Sequence, residues 1–229
     1  IEKLSLSKKT KWIELRETDF SIKNLKRLSN LCDYPIFHPN YVGSLHLTEK
    51  VKSDRVKVLL SGEGADEIFL GYRWFEHFSN YNEFLEYIPF DIAKDVFKTE
   101  NLKNPNFDQF SLVEAFQKIY LQRWLLRQDL TGMANSVEVR VPFLGIELAE
   151  RLNKLSSEFK IKKNFSSNSK IETKWLLKRM LRNKYSNEFI DRKKVGFDFP
   201  LNDWINEEHL EFLRSRNDLF DFELLFQKL

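Results

Sequence analysis

The chain has 229 residues and 27.5 kDa, 42% of it hydrophobic, enough to bury one large core or two small ones and too apolar for a disordered segment. Lysine and arginine number 37 against 34 acids, and a net charge of +3 spread this evenly gives no ground for binding nucleic acid or an anionic membrane. A single cysteine, Cys32, excludes an internal disulfide and fits packing in a reducing compartment; with no apolar run near the ~18 residues of a membrane span and no signal-peptide core in IEKLSLSKKTKW, the chain reads as cytoplasmic.

In chain order, a short β-type run covers Lys11 to Leu15. Ile22, Leu25, Leu28 and Leu31 then recur at three-residue steps and predict an amphipathic helix capped by Asp19 or Ser21. YPIFHPNYVG, with two prolines and a glycine, breaks that helix, and a second helix is expected over Ser44 to Lys52. Val56, Val58, Leu59 and Leu60 predict a buried parallel strand, and Ile68, Phe69 and Tyr72 recur at helical spacing just after it. From Trp74 onward the period is helical, through Phe75, Phe78, Phe84 and Ile88, then Leu112, Phe116, Ile119 and Leu126, interrupted by a polar loop from Thr99 to Asp108. The 21 phenylalanines cluster in this half at core-type spacing. His38, His46, His77 and His209 show no zinc-ligand spacing.

The stretch VKVLLSGEGADEIFLGY, Val56 to Tyr72, carries the strongest chemical signal. A strand empties into a turn where Gly62 and Gly64 permit positive φ and close backbone approach, the place where α/β sheets bind ligands. Glu63, Asp66 and Glu67 crowd three carboxylates into five residues, which calls for a cation, a bound amine or solvent; complementing a helix N-terminus is the plainer alternative. In SVEVRVPFL, Glu138 and Arg140 alternate with Val137, Val139 and Val141, as on an extended segment with one polar face. Arg192, Lys193 and Lys194 form a basic loop before Gly196, Phe197 and Pro200 turn the chain into a last helical region with Trp204.

SGEGADEIFLGY at 61 to 72, SVEVRVPFL at 136 to 144 and DRKKVGFDFPLNDWI at 191 to 205 resemble, in order, three signatures of the C-terminal synthetase domain of glutamine-hydrolysing asparagine synthetases. With DLTGMANS at 129 to 136, the similarity spans about Lys11 to Ile205. The resemblance implies an α/β fold: part of a parallel sheet of the adenine-nucleotide alpha-hydrolase (PP-loop ATPase) type over about 11–72, and a large α-helical part over about 73–229. It implies aspartate, ATP and glutamine-derived ammonia as reactants, an aspartyl-adenylate, Mg²⁺ on the phosphates, and asparagine, AMP and pyrophosphate as products. Homodimerisation would be compatible with it.

Carried over by motif position, Ser61 and Gly62 would touch the nucleotide, Asp66 would hold Mg²⁺ against pyrophosphate, and Glu63 would face the reacting acyl centre. Glu138 would assist near the amine, Arg140 would anchor a carboxylate or brace Glu138, and Lys194, supported by Arg192, would balance charge on α-phosphate and departing pyrophosphate. The family's SGG-x-Asp-Ser loop and its glutaminase cysteine do not occur in the 229 residues, so the expectation is the later part of a synthetase, inactive alone and dependent on that amino-terminal portion. Leu70 stands where a glycine is usual and Gly145 where an aspartate is usual, departures compatible with a paralogue that amidates a sugar or peptide carboxylate; a non-catalytic interaction subunit is a separate alternative, against which the retained Glu63, Asp66, Glu138 and Lys194 argue. Glu63, where β-lactam-forming relatives carry tyrosine, favours an ammonia acceptor.

Overall fold

A computed structural model of the chain describes residues 13–32, 36, 38–72, 117, 121–163, 171–192, 200–216 and 220. Its regular elements are α1 (Ile22–Ser29), α2 (Asn40–Ser53), β1 (Val58–Leu60), α3 (Ala65–Phe69), α4 (Gln122–Met133), β2 (Glu138–Arg140), α5 (Ile146–Asn153), β3 (Lys162–Lys163), β4 (Ile171–Glu172), α6 (Trp175–Leu181), α7 (Asn187–Ile190), α8 (Leu201–Trp204) and α9 (Glu207–Ser215). The helical expectations from Trp74 to Ile119 and the polar loop from Thr99 to Asp108 lie outside the described residues. Two compact units divide the chain: residues 1–59, 127–139 and 193–229 form one, and 60–126 and 140–192 the other. The division falls inside both β1 and β2. No described helix is long and apolar enough to cross a membrane.

In the first unit, α1 forms where the leucine spacing places it, and Ser21 is its cap, its hydroxyl accepting from Asn24 N–H at 3.4 Å. Leu25 and Leu28 face inward with Phe20, Cys32, Tyr41, Val42, Leu45, Leu201 and Leu213, so Cys32 is core packing. Helix α2 begins at Asn40, four residues before the expected Ser44. A proline is tolerated at a helix start, where its missing N–H has no partner to lose, so Pro39 opens a helix inside YPIFHPNYVG, the segment expected to be a break. The residues expected as a strand before Leu15 are irregular from Ile13 onward.

A buried polar network joins α2 to the end of α4. Asn135 Nδ2 donates to Leu45 O (3.2 Å) and Thr48 Oγ1 (2.9 Å), Thr48 Oγ1 donates to Thr131 O (2.7 Å), and Ser44 and Thr131 share a hydroxyl bond of 2.7 Å. Arg27 Nη2 closes it by donating to Asn135 Oδ1 at 2.8 Å. DLTGMANS thus serves the structure: Thr131 and Asn135 weld α4 to α2, and Gly132 lets β2 come close. A Cβ at Gly132 would sit 2.6 Å from Val137 O and 2.8 Å from Val139 Cγ2.

β1 and β2 are hydrogen-bonded neighbours in a two-stranded sheet. Glu138 N–H bonds Lys57 O (2.8 Å) at one end and Ser61 N–H bonds Arg140 O (2.8 Å) at the other, the progression of a parallel pair. The expected parallel strand is present, shortened to Val58–Leu60, but it is not buried: Val56 is 45%, Val58 38% and Leu60 67% exposed. Its apolar run has the composition of a strand covered on both faces, yet Val58 and Leu60 stay exposed. The second unit adds a feature the helical period does not announce, the short antiparallel pair of β3 and β4 with Lys162 opposite Glu172 and Lys163 opposite Ile171. Two-residue strands are too short for an alternation pattern to register.

Candidate functional site

The glycine-punctuated acidic turn is built within the second unit. After β1, Ser61 Oγ accepts from Glu63 N–H at 3.3 Å, and Gly64, at φ 86°, reverses the chain in a conformation open to few residues but glycine. The Leu144 side chain fills the place a Cβ on Gly64 would need. Ile68 N–H bonds Gly64 O at 2.9 Å, starting α3. Five residues are too few for a helix to hold itself, so α3 stays in place by burial. Ile68 and Phe69 are 1% and 4% exposed, packed with Leu152, Leu144, Leu176 and Leu177, and Phe69 meets Phe143 edge-on at 5.9 Å. Leu70, at φ 54° and 1% exposed, ends the helix in a left-handed conformation. The glycine usual at this position in the resembled family suits that geometry; here a leucine bears the strain and fills the core.

One face of the turn is a cavity of about 210 Å³ lined by Ser61, Gly62, Glu63, Gly64, Asp66, Glu67 and Tyr72. Three carboxyls share it, and each is handled differently. Glu63 is half-buried at its rim. Asp66 pairs with Lys174 Nζ at 2.9 Å, the lysine coming from the residue that precedes α6. Glu67 is 2% exposed, and burial pushes its carboxyl above the usual range, opposed by the hydrogen bond donated by Tyr72 Oη at 2.5 Å. Burial, then the neighbouring Glu67, holds the Tyr72 phenol protonated far above its usual range. A hard-oxygen donor set with hydroxyl and backbone groups beside it suits Mg²⁺ shared with phosphate oxygens. It does not suit an all-protein metal cage: among the described residues no three His, Cys, Asp or Glu side chains are placed to hold a metal ion between them.

Of the residues singled out from sequence, Ser61, Gly62, Glu63 and Asp66 share this cavity. Arg140 joins the turn through its backbone, its carbonyl accepting from Ser61 N–H. Arg192 lies at the end of α7, its Nη1 donating to Phe189 O at 2.6 Å and its guanidinium 4.4 Å from the Phe189 ring; the described lining includes neither arginine. Glu138 is exposed on β2 in the first unit. Lys194 lies outside the described residues. Sequence reasoning passes over Lys174, and it counts Glu67 among the crowded acids and Tyr72 among the helical positions without giving either a site role. Lys174 carries no local signal, because it reaches Asp66 from a distant element.

Gly71 explains how tightly this corner is drawn. Its N–H bonds Asp66 O at 2.8 Å, and a Cβ on it would overlap Asp66 Oδ1 and Lys174 Cε. Gly71→Ala is expected to dislodge the Asp66–Lys174 pair while the chain stays folded, because both obstructing atoms belong to movable side chains. The check is loss of the slowly exchanging Lys174 ammonium signal in ¹⁵N NMR with a thermal midpoint within a few degrees of the parent.

Comparison with known proteins follows the same line. The asparagine synthase family model matches residues 8–221. Asparagine synthetase [glutamine-hydrolyzing] 1 of Bacillus subtilis (strain 168) is 26% identical over 241 residues, covering 80% of this chain and 37% of that protein. A putative asparagine synthetase [glutamine-hydrolyzing] 1 of Methanocaldococcus jannaschii is 36% identical over 54% of the chain and 18% of its own length, and the nodule asparagine synthetase of Pisum sativum 32% over 58% and 18%. The chain spans about a third of the length of the Bacillus relative. With an acidic turn built on Gly64, a parallel β1–β2 pair and a family match over nearly its whole length, this chain belongs to the asparagine synthase family.

Proposed function

We propose that this chain is the part of an ATP-dependent synthetase that receives pyrophosphate and directs ammonia onto an activated aspartate. The observation that carries it is the sharing of one cavity by Ser61, Gly62, Glu63 and Asp66, which the family resemblance names as site residues. Ser61 and the Gly62 backbone take phosphate oxygens. Asp66 is the carboxylate that would hold magnesium, which when bound neutralises the phosphate charge and eases departure of pyrophosphate. Lys174, 2.9 Å from Asp66, holds that carboxylate in place. Lys194 and Arg192 supply further positive charge, and Glu138 and Arg140 serve the acceptor side.

Glu63 is the proton acceptor of amide formation. Ammonia adds to the acyl carbon of the aspartyl-adenylate, its nitrogen becomes positive, a proton passes to the Glu63 carboxylate, and the acyl–oxygen bond breaks to leave asparagine and AMP. The glutaminase reaction that supplies ammonia and the SGG-containing nucleotide loop fall to the further length the relatives have, on a PP-loop type sheet that would cover the exposed Val58 and Leu60. The departures at Leu70 and Gly145 favour a second reading, the same chemistry on another carboxylate.

The test is pyrophosphate release from ATP and Mg²⁺ by the protein from the full open reading frame, across a panel of acids. Release with aspartate and glutamine, with asparagine formed, is expected. Silence with aspartate and turnover with a sugar or peptide acid would move the assignment to the second reading. This chain alone is expected to give no turnover.

A further inference from the structure

Tyr72 has no place in the chemistry above, yet it enters the same cavity and spends its hydroxyl on a carboxyl that solvent hardly reaches. Burying a carboxyl is costly unless a partner compensates, and complementing a helix N-terminus needs no burial. The connectivity says what the bond accomplishes. Past the left-handed Leu70 the chain returns over the start of α3, so that Gly71 N–H reaches Asp66 O and the Gly71 backbone lies against both the Asp66 carboxylate and Lys174. Tyr72 is the next residue, and its hydroxyl reaches back to Glu67, the neighbour of Asp66. The core contacts of Ile68 and Phe69 fix the other side of α3. On the cavity side the return segment is the wall against which Asp66 rests, and the Tyr72–Glu67 bond ties that wall down.

We infer that Tyr72 and Glu67 are a positioning pair: their hydrogen bond clamps the Leu70–Tyr72 return segment onto α3 and thereby sets the place of the Asp66 carboxylate and its Lys174 partner. The inference deepens the proposed reading of the cavity, in which Asp66 is the residue acted through. Neither Tyr72 nor Glu67 needs to touch a reactant. What the pair requires is a hydroxyl at 72 and an acceptor at 67. Gln offers such an acceptor in nearly the same place, and alanine does not.

The experiment uses this chain in four forms: parent, Tyr72→Phe, Glu67→Ala and Glu67→Gln. The reporter is the Lys174 ammonium resonance in ¹⁵N NMR, assigned by its absence in Lys174→Met, with the thermal midpoint followed alongside. The clamp requires that Tyr72→Phe and Glu67→Ala each reduce the protected Lys174 signal at least fivefold, and that Glu67→Gln retain it. An unchanged Lys174 signal in Tyr72→Phe overturns the inference, as does a Glu67→Gln variant that loses the signal as fully as Glu67→Ala. Should the variants merely melt, the same signal read well below their midpoints decides. In the full open reading frame, Tyr72→Phe is then expected to lower kcat for pyrophosphate release about tenfold with KM for the acid within threefold, and Glu67→Gln to restore kcat to within threefold of the parent. If the parent releases no pyrophosphate with any acid, the functional reading fails while the NMR result still stands or falls on its own.

Discussion

Glu63→Gln in the full open reading frame is expected to lower amide formation by about 10²-fold or more, while acid-dependent exchange of pyrophosphate into ATP continues within a few fold of the parent. The split follows from the geometry of the turn. Gln is isosteric with Glu but accepts no proton, so the nitrogen that has added to the acyl carbon stays positive and returns to ammonia more readily than AMP departs. The turn has supports other than the Glu63 side chain. Its reversal rests on Gly64 at φ 86°, its entry on Ser61 Oγ taking Glu63 N–H, and its far side on Ile68 and Phe69 in the core. Asp66 and Lys174 stay in place, and with them the carboxylate proposed to act on the phosphate side. Paired assays of asparagine and of labelled pyrophosphate exchange check this. An equal fall in both would place Glu63 in the adenylation step, and an unchanged rate of amide formation would remove it from the chemistry.

The acidic turn is legible in the sequence because its information is local. The strand-to-turn transition, Gly62 and Gly64, and three acids within five residues lie in one stretch, and the cavity gathers most of it. Helix α1 and its Ser21 cap are legible for the same reason. What escapes reading depends on partners distant in the chain. Lys174 looks like any lysine until β4 and α6 carry it to Asp66. The start of α2 falls ahead of its expected place because local rules treat Pro39 and Gly43 as breakers, whereas burial of Asn40 through Leu45 outweighs the propensity of a single Gly. The composition around Val58 predicts a buried strand, and that composition reports an environment the described residues do not supply. Leu70 flags itself as a departure from the usual glycine, and its left-handed backbone shows what the glycine is for.

The stability counterpart lies in the first unit, where Asn135→Ala is expected to cost about 3 kcal/mol, a large loss for a single side chain. Asn135 is 2% exposed and is the hub of the network: its amide nitrogen serves Leu45 O and Thr48 Oγ1, and its oxygen takes Arg27 Nη2. Truncation leaves acceptors on α2 without that donor where water hardly reaches, at about 1–3 kcal/mol per buried unsatisfied group, while Arg27, partly exposed, recovers part of its bond from solvent. Thr131→Val should cost less. Its hydroxyl serves Ser44 Oγ and Arg127 O, but its carbonyl, which takes the Thr48 hydroxyl, belongs to the backbone and survives the substitution. Urea unfolding of both variants against the parent, with equal m-values, measures the difference. A loss below about 1 kcal/mol for Asn135→Ala would mean that water replaces the amide and that the weld between α2 and α4 is apolar packing.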